Sequence, residues 1–104
     1  MISIDQSQAG QTIDLPVGQV IELRLAENPT TGFRWVFTSQ AGPACVVVDD
    51  SFQPGGTAPG AVGEHHWEVR GVRPGACELS LAYRRGFEHA PPAQAFTLHV
   101  RVTG

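Results

Sequence analysis

A chain of 104 residues with a formal net charge of -3 is long enough for one hydrophobic core and too short for two. Its seven basic residues are all arginines, spread along the chain, so there is neither a basic stripe for nucleic acid nor a polyacidic tail. No apolar run approaches the roughly 20 residues of a membrane span, and the opening MISIDQSQAGQ lacks the basic head and apolar centre of a signal peptide. The expectation is a soluble monomeric domain spanning 1–104, cytoplasmic or the mature form of a secreted or periplasmic protein, with no nucleic-acid or membrane partner.

In chain order the pattern is strand after strand, with period-two alternation and frequent Gly/Pro punctuation. Short strands are expected near residues 2–4 and 12–15. VIELRL then sets Ile21, Leu23 and Leu25 against Glu22 and Arg24, and FRWVF sets Phe33, Trp35 and Phe37 against Arg34 and Val36. CVVVD follows Ala44. EHHWEVR puts His65, Trp67 and Val69 on one face, and CELSLAY puts Cys77, Leu79, Leu81 and Tyr83 on one face. AFTLHVRV closes the series with Phe96, Leu98, Val100 and Val102. Seven to eight strands, each apolar on one side, predict an all-β fold: an immunoglobulin-like antiparallel β-sandwich with Trp35 and Trp67 as core anchors.

Antiparallel neighbours reverse at each connection, so alternate connections share an end of the sandwich. The connections at 27–32, 53–63 and 84–93 should lie together, and the short Gly-Pro turns SQAGPA and GVRPGA at the other end. The first group is chemically unusual. Asn28-Pro29 keeps the chain extended, Thr30 and Thr31 are stiff at χ1, and Gly32 allows a positive φ on re-entry to the next strand. The result is a narrow uncharged wedge, and Pro29 bars Asn28 from glycosylation. QPGGTAPGAVG has four glycines, two prolines and no charge over eleven residues, leaving backbone groups open to an extended partner. RRGFEHAPPAQ sets Phe87 among Arg85, Glu88 and His89, as a binding anchor would be set. Each loop, taken alone, also fits a plain connection.

Taken together, the three loops resemble the chagasin-like inhibitors of papain-type cysteine proteases, over nearly the whole chain. The family's Asn-Pro-Thr-Thr-Gly-aromatic motif stands as Asn28, Pro29, Thr30, Thr31, Gly32 and Phe33. Its paired glycines ahead of a His- and aromatic-containing strand match Gly60, Ala61, Val62 and Gly63 before EHHWEV. Its Tyr-x-Arg-Pro-aromatic motif matches Tyr83, Arg84, Arg85 and Phe87, with Gly86 replacing the proline and so raising the cost of ordering that loop. The resemblance implies a reversible wedge: Thr30 and Thr31 over the protease's catalytic cysteine and histidine, Gly60 to Gly63 pairing along the substrate cleft, and Phe87 on an aromatic surface. Arg85 would steady its loop or meet an acidic group.

No enzyme activity, catalytic residue, cofactor or metal is expected. Cys77 has inward phase and Cys45 lies on a Val-rich strand, where thiols are inert; a bridge between them and two buried free thiols both remain open. Adjacent His65 and His66 point to opposite faces, and no histidine triplet has ligand spacing. His65 reads as a packed core-edge residue, His66 and His99 as solvated. The alternative reading is an immunoglobulin-like adhesion or carbohydrate-binding module using the same loops, which would require aromatic platforms or acidic ligands there.

Overall fold

A computed structural model describes residues 2–28, 31–55, 62–85 and 92–104, and of 39–41 the backbone alone. Its strands are β1 (Ile2–Ile4), β2 (Thr12–Pro16), β3 (Val20–Glu27), β4 (Phe33–Ala41), β5 (Cys45–Gln53), β6 (Gly63–Gly71), β7 (Gly75–Arg85) and β8 (Gln94–Thr103). They form two four-stranded sheets, ordered β1-β3-β6-β5 and β2-β8-β7-β4. The sandwich and its strand count are those the alternation predicts. Ile21, Leu23, Leu25, Trp67, Val69, Leu79, Leu81, Phe96, Leu98 and Val100 are all shut between the sheets, with Trp35 beside them. Burying each such side chain contributes about 1.5–3 kcal/mol, which is why one face of every strand had to be apolar.

The six longer strands pair antiparallel, as expected, but the two short ones do not. β1 runs parallel to β3 and β2 parallel to β8, so both sheets are mixed. A single 3-10 turn at Gln6–Gln8 explains this. Capped by Asp5, it carries the chain from the edge of one sheet to the edge of the other, and Gln6 accepts a hydrogen bond from the Ala26 amide on the way (3.2 Å). A strand that changes sheets in this way has no hairpin partner of its own, so it runs alongside an existing edge. On the outer face Arg101 Nε donates to Asp14 Oδ1 (2.7 Å), tying β2 to β8 and holding the Asp14 carboxyl below its usual range. That support is present above the unfolded carboxyl pKa, is lost on acidification, and is small because the pair lies in water.

β5 carries one irregularity that matters for the site. Val47 pairs with Val69 and Asp49 with Glu68, so Val48 is an extra, bulged residue. A bulge shifts which side chains face inward beyond it. Asp50 and Phe52 thereby come opposite the inward Trp67 and His65.

At the end opposite the three loop stems, the Val72 amide donates to the Ala44 carbonyl (2.8 Å) and the Gly18 amide to the Gly71 carbonyl (2.8 Å). There the cysteines are resolved as a bridge: Cys45 at the start of β5 is bonded to Cys77 on β7, joining the two sheets across 32 residues of sequence. Replacing both cysteines by alanine is expected to lower the unfolding free energy by about 3–4 kcal/mol in the chain-entropy model. Urea denaturation of the double variant beside the parent measures it, and a loss of under about 1 kcal/mol would show that the bridge constrains little.

Candidate functional site

The stems of the three unusual loops meet at one end. In the first sheet Glu27 pairs with Gly63 and Gln53 with Glu64; in the second Phe33 pairs with Arg85 and Tyr83 with Gln94. Hydrogen bonds cross between the sheets here. The Asn28 amide donates to the Tyr83 hydroxyl (3.0 Å), and the Trp35 indole Nε1–H donates to the Ala26 carbonyl (2.8 Å). Each gives a polar end to an otherwise apolar ring, so Tyr83 and Trp35 fix the angle between the stems while packing on each other (centroids 5.0 Å apart).

The connection between β3 and β4 is held from within. Thr31 donates through both its amide (3.3 Å) and its hydroxyl (2.8 Å) to the Asn28 carbonyl, and its Oγ1 accepts the Phe33 amide proton (3.3 Å). Gly32 takes φ 81°, the left-handed conformation expected of it, and the chain then enters β4. The hydroxyl proton of Thr31 is therefore engaged inside the turn, where the sequence alone suggested a group pointing at a partner. From β7, Arg85 Nε donates to the Thr31 carbonyl (3.0 Å) and its guanidinium lies 4.8 Å from the centre of the Phe33 ring. Phe33 stacks in turn on Tyr83 (5.3 Å). Arg85 thus braces the neighbouring loop as well as beginning its own.

The third support was not legible as a site. Among the described residues Glu27 is the buried charged one, 4% exposed. Its Oε2 accepts the Trp35 amide proton (3.0 Å) and faces His65 Nδ1 (3.0 Å). The other ring nitrogen, His65 Nε2, bonds Asp50 Oδ1. The imidazole is stacked flat on Trp67 (4.1 Å, 7°) with Phe52 at its edge. A buried carboxylate needs such partners, because an unsatisfied one carries a desolvation penalty of several kcal/mol.

Of the residues expected to bind a protease, the structure brings Asn28, Thr31, Gly32, Phe33, Val62, Gly63 and Arg85 to this end. Pro29, Thr30, Gly60, Ala61, Gly86 and Phe87 lie outside the described residues. Val62 is 57% exposed, whereas Gly63 is buried, and a Cβ there would overlap the Gln53 carbonyl and the Phe52 ring. Gly63 therefore permits the close approach of the two stems, whatever else it does. Sequence reasoning missed Glu27, Asp50 and the anchoring role of Tyr83. The signal for Glu27 was present: it continues the inward phase of Ile21, Leu23 and Leu25, and the inward phase of β6 carries a histidine, His65, two residues before Trp67.

Comparison with known proteins adds the lineage. The model of the family described as chagasin family peptidase inhibitor I42 matches residues 14–101. Amoebiasin-1 of Entamoeba histolytica is 33% identical over 103 residues, covering 97% of this chain and 99% of that protein. Chagasin of Trypanosoma cruzi is 29% identical over 106 residues, covering 94% of each. The crystal structure of the cysteine protease inhibitor EhICP2 from Entamoeba histolytica superposes with a TM-score of 0.88 over 98% of this chain and 95% of its own, at 18% identity. That last likeness is one of fold.

The internal bonds of Thr31 make a direct prediction. Thr31→Val should speed amide exchange at Phe33 and cost about 1 kcal/mol of stability, while Thr31→Ser, which keeps the hydroxyl, should do neither. Exchange rates equal in the two variants would mean that the hydroxyl does not hold the turn.

Proposed function

The chain belongs to the chagasin family of peptidase inhibitors, and from that premise we propose that it is a reversible, tight-binding inhibitor of papain-like cysteine proteases that closes the active-site cleft with three loops from one end of the sandwich. The observation that carries the reading is the position of the intact Asn28-Pro29-Thr30-Thr31-Gly32 motif. It sits between β3 and β4, at the end where the stems of the other two loops converge.

In this reading the tip at residues 28–32 enters the cleft above the catalytic cysteine and histidine. It offers hydroxyl and backbone groups to that ion pair but presents no peptide bond for the thiolate to attack. Thr30 makes the outward contact, and Thr31, whose hydroxyl is engaged with Asn28 and Phe33, keeps the tip in shape. Residues 60–63 pair by backbone along the substrate side, with Val62 giving an apolar contact. Phe87 packs on an aromatic surface across the cleft, and Arg85 holds its loop against the central one. An interface of about 800 Å² per partner is within reach of three loops. Affinity would come in large part from low ordering cost, since Pro29 and the braced turn are stiff before contact.

Titration against papain is expected to give complete inhibition at one inhibitor per active site, without cleavage of the chain on prolonged incubation. Thr30→Arg should weaken inhibition about a hundredfold with an unchanged melting temperature, about 3 kcal/mol at a buried contact. An absence of inhibition at micromolar concentration, or an unaffected Thr30→Arg, would sink the wedge.

A further inference from the structure

We propose that His65 is a positioning residue for inhibition: clamped between the carboxylates of Glu27 and Asp50, it fixes the stems of the β5–β6 and β3–β4 connections relative to each other. The proposal rests on the inhibitory reading above and adds to it a residue outside the three loop motifs.

The geometry is specific. Glu27 is the last residue of β3, and its Oε2 already takes the amide proton of Trp35 from β4, so this carboxylate joins both stems of the tip loop (3.0 Å). Through His65 Nδ1 the same oxygen holds β6 just after the β5–β6 loop, and through His65 Nε2 the ring holds Asp50 on β5 just before it. One imidazole thus links the stems of two recognition loops. Both ring nitrogens face carboxylate oxygens. A neutral imidazole has one donor and one acceptor, so it can satisfy only one of them and turns a lone pair toward the other; the imidazolium donates to both. Stacking on Trp67 keeps the ring in the plane this requires.

The surrounding charges leave this pairing undisturbed. From β3 the ring faces Glu27 and from β5 Asp50. On its own strand Glu64 and His66 pair with each other (3.2 Å), and on β3 Arg24, opposite His66 in register, pairs with Glu22 (3.4 Å). From the opposite sheet Phe37 packs against Trp67 rather than bringing a charge (5.8 Å).

The test uses the intact chain. Asp50→Asn, at a side chain 60% exposed, removes one charge at little risk to folding. His65→Gln removes the ring and its charge. Inhibition constants for both variants and the parent are measured against papain, with thermal melts and the amide shifts of Asn28, Thr31 and Phe33 alongside. Expected are losses of about threefold for Asp50→Asn and about tenfold for His65→Gln, with shifted amides at the β3–β4 connection and, for Asp50→Asn, an unchanged melting temperature. Unchanged inhibition constants overturn the proposal while leaving the inhibitor reading intact. Should His65→Gln unfold, Asp50→Asn decides alone. If the parent does not inhibit papain, the inhibitor reading fails, and the brace is judged in the free protein by the amide shifts of Asn28, Thr31 and Phe33. Shifts that respond to Asp50→Asn support it; shifts that do not respond overturn it.

Discussion

In β3 the side chains of Ile21, Leu23 and Leu25 are shut away from water, and the pleat that puts them there carries Glu27 inward as well. A carboxylate in that position must find donors or be protonated. It finds the Trp35 amide and His65, and so the last turn of core packing becomes the first support of the recognition end. The aromatic series Trp35, Tyr83, Phe33 and the guanidinium of Arg85 continues the support outward to Thr31. Apolar burial, a buried ion network and loop order are thus successive layers of one arrangement. A change in the lowest layer would be felt at the tip.

This layering suits an inhibitor that binds without being consumed. Loops that a protease can draw into its cleft in extended form are substrates; loops tied at each stem resist being drawn in. Here the ties are of different kinds. The central turn is closed by its own threonine, its flank by an arginine from β7, and its base by a carboxylate shared with Trp35 and His65. The disulfide lies at the far end and stabilises the scaffold without touching these ties.

The sandwich was legible because burying one face of a strand leaves a period of two in the sequence, and all eight strands stand near where that period and the turn signals place them. The common location of the three loops followed from chain reversal alone. What was not legible depended on partners that are distant in sequence. Parallel addition of β1 and β2 is decided by which sheet edge is open, and nothing in ISI or TIDLP says so. The bulge at Val48 reverses inside and outside for the rest of β5, which is how an aspartate comes to face a histidine that alternation places inward. Thr31 and Arg85 were singled out by motif, but their hydrogen bonds to the turn itself could be known only once the two stems were side by side.

The crossing made by the 3-10 turn at Gln6–Gln8 has a practical result. Because β1 runs upward beside β3, Ile2 starts level with Ile21, at the closed end; because β8 runs downward, Thr103 finishes there too, beside Pro16. Both ends of the described chain therefore leave the sandwich on the side away from Asn28 and Phe33. A fluorophore, an affinity handle or a second domain joined at either one would hang from the base, leaving the three loops uncovered and directed away from whatever surface the protein is tethered to.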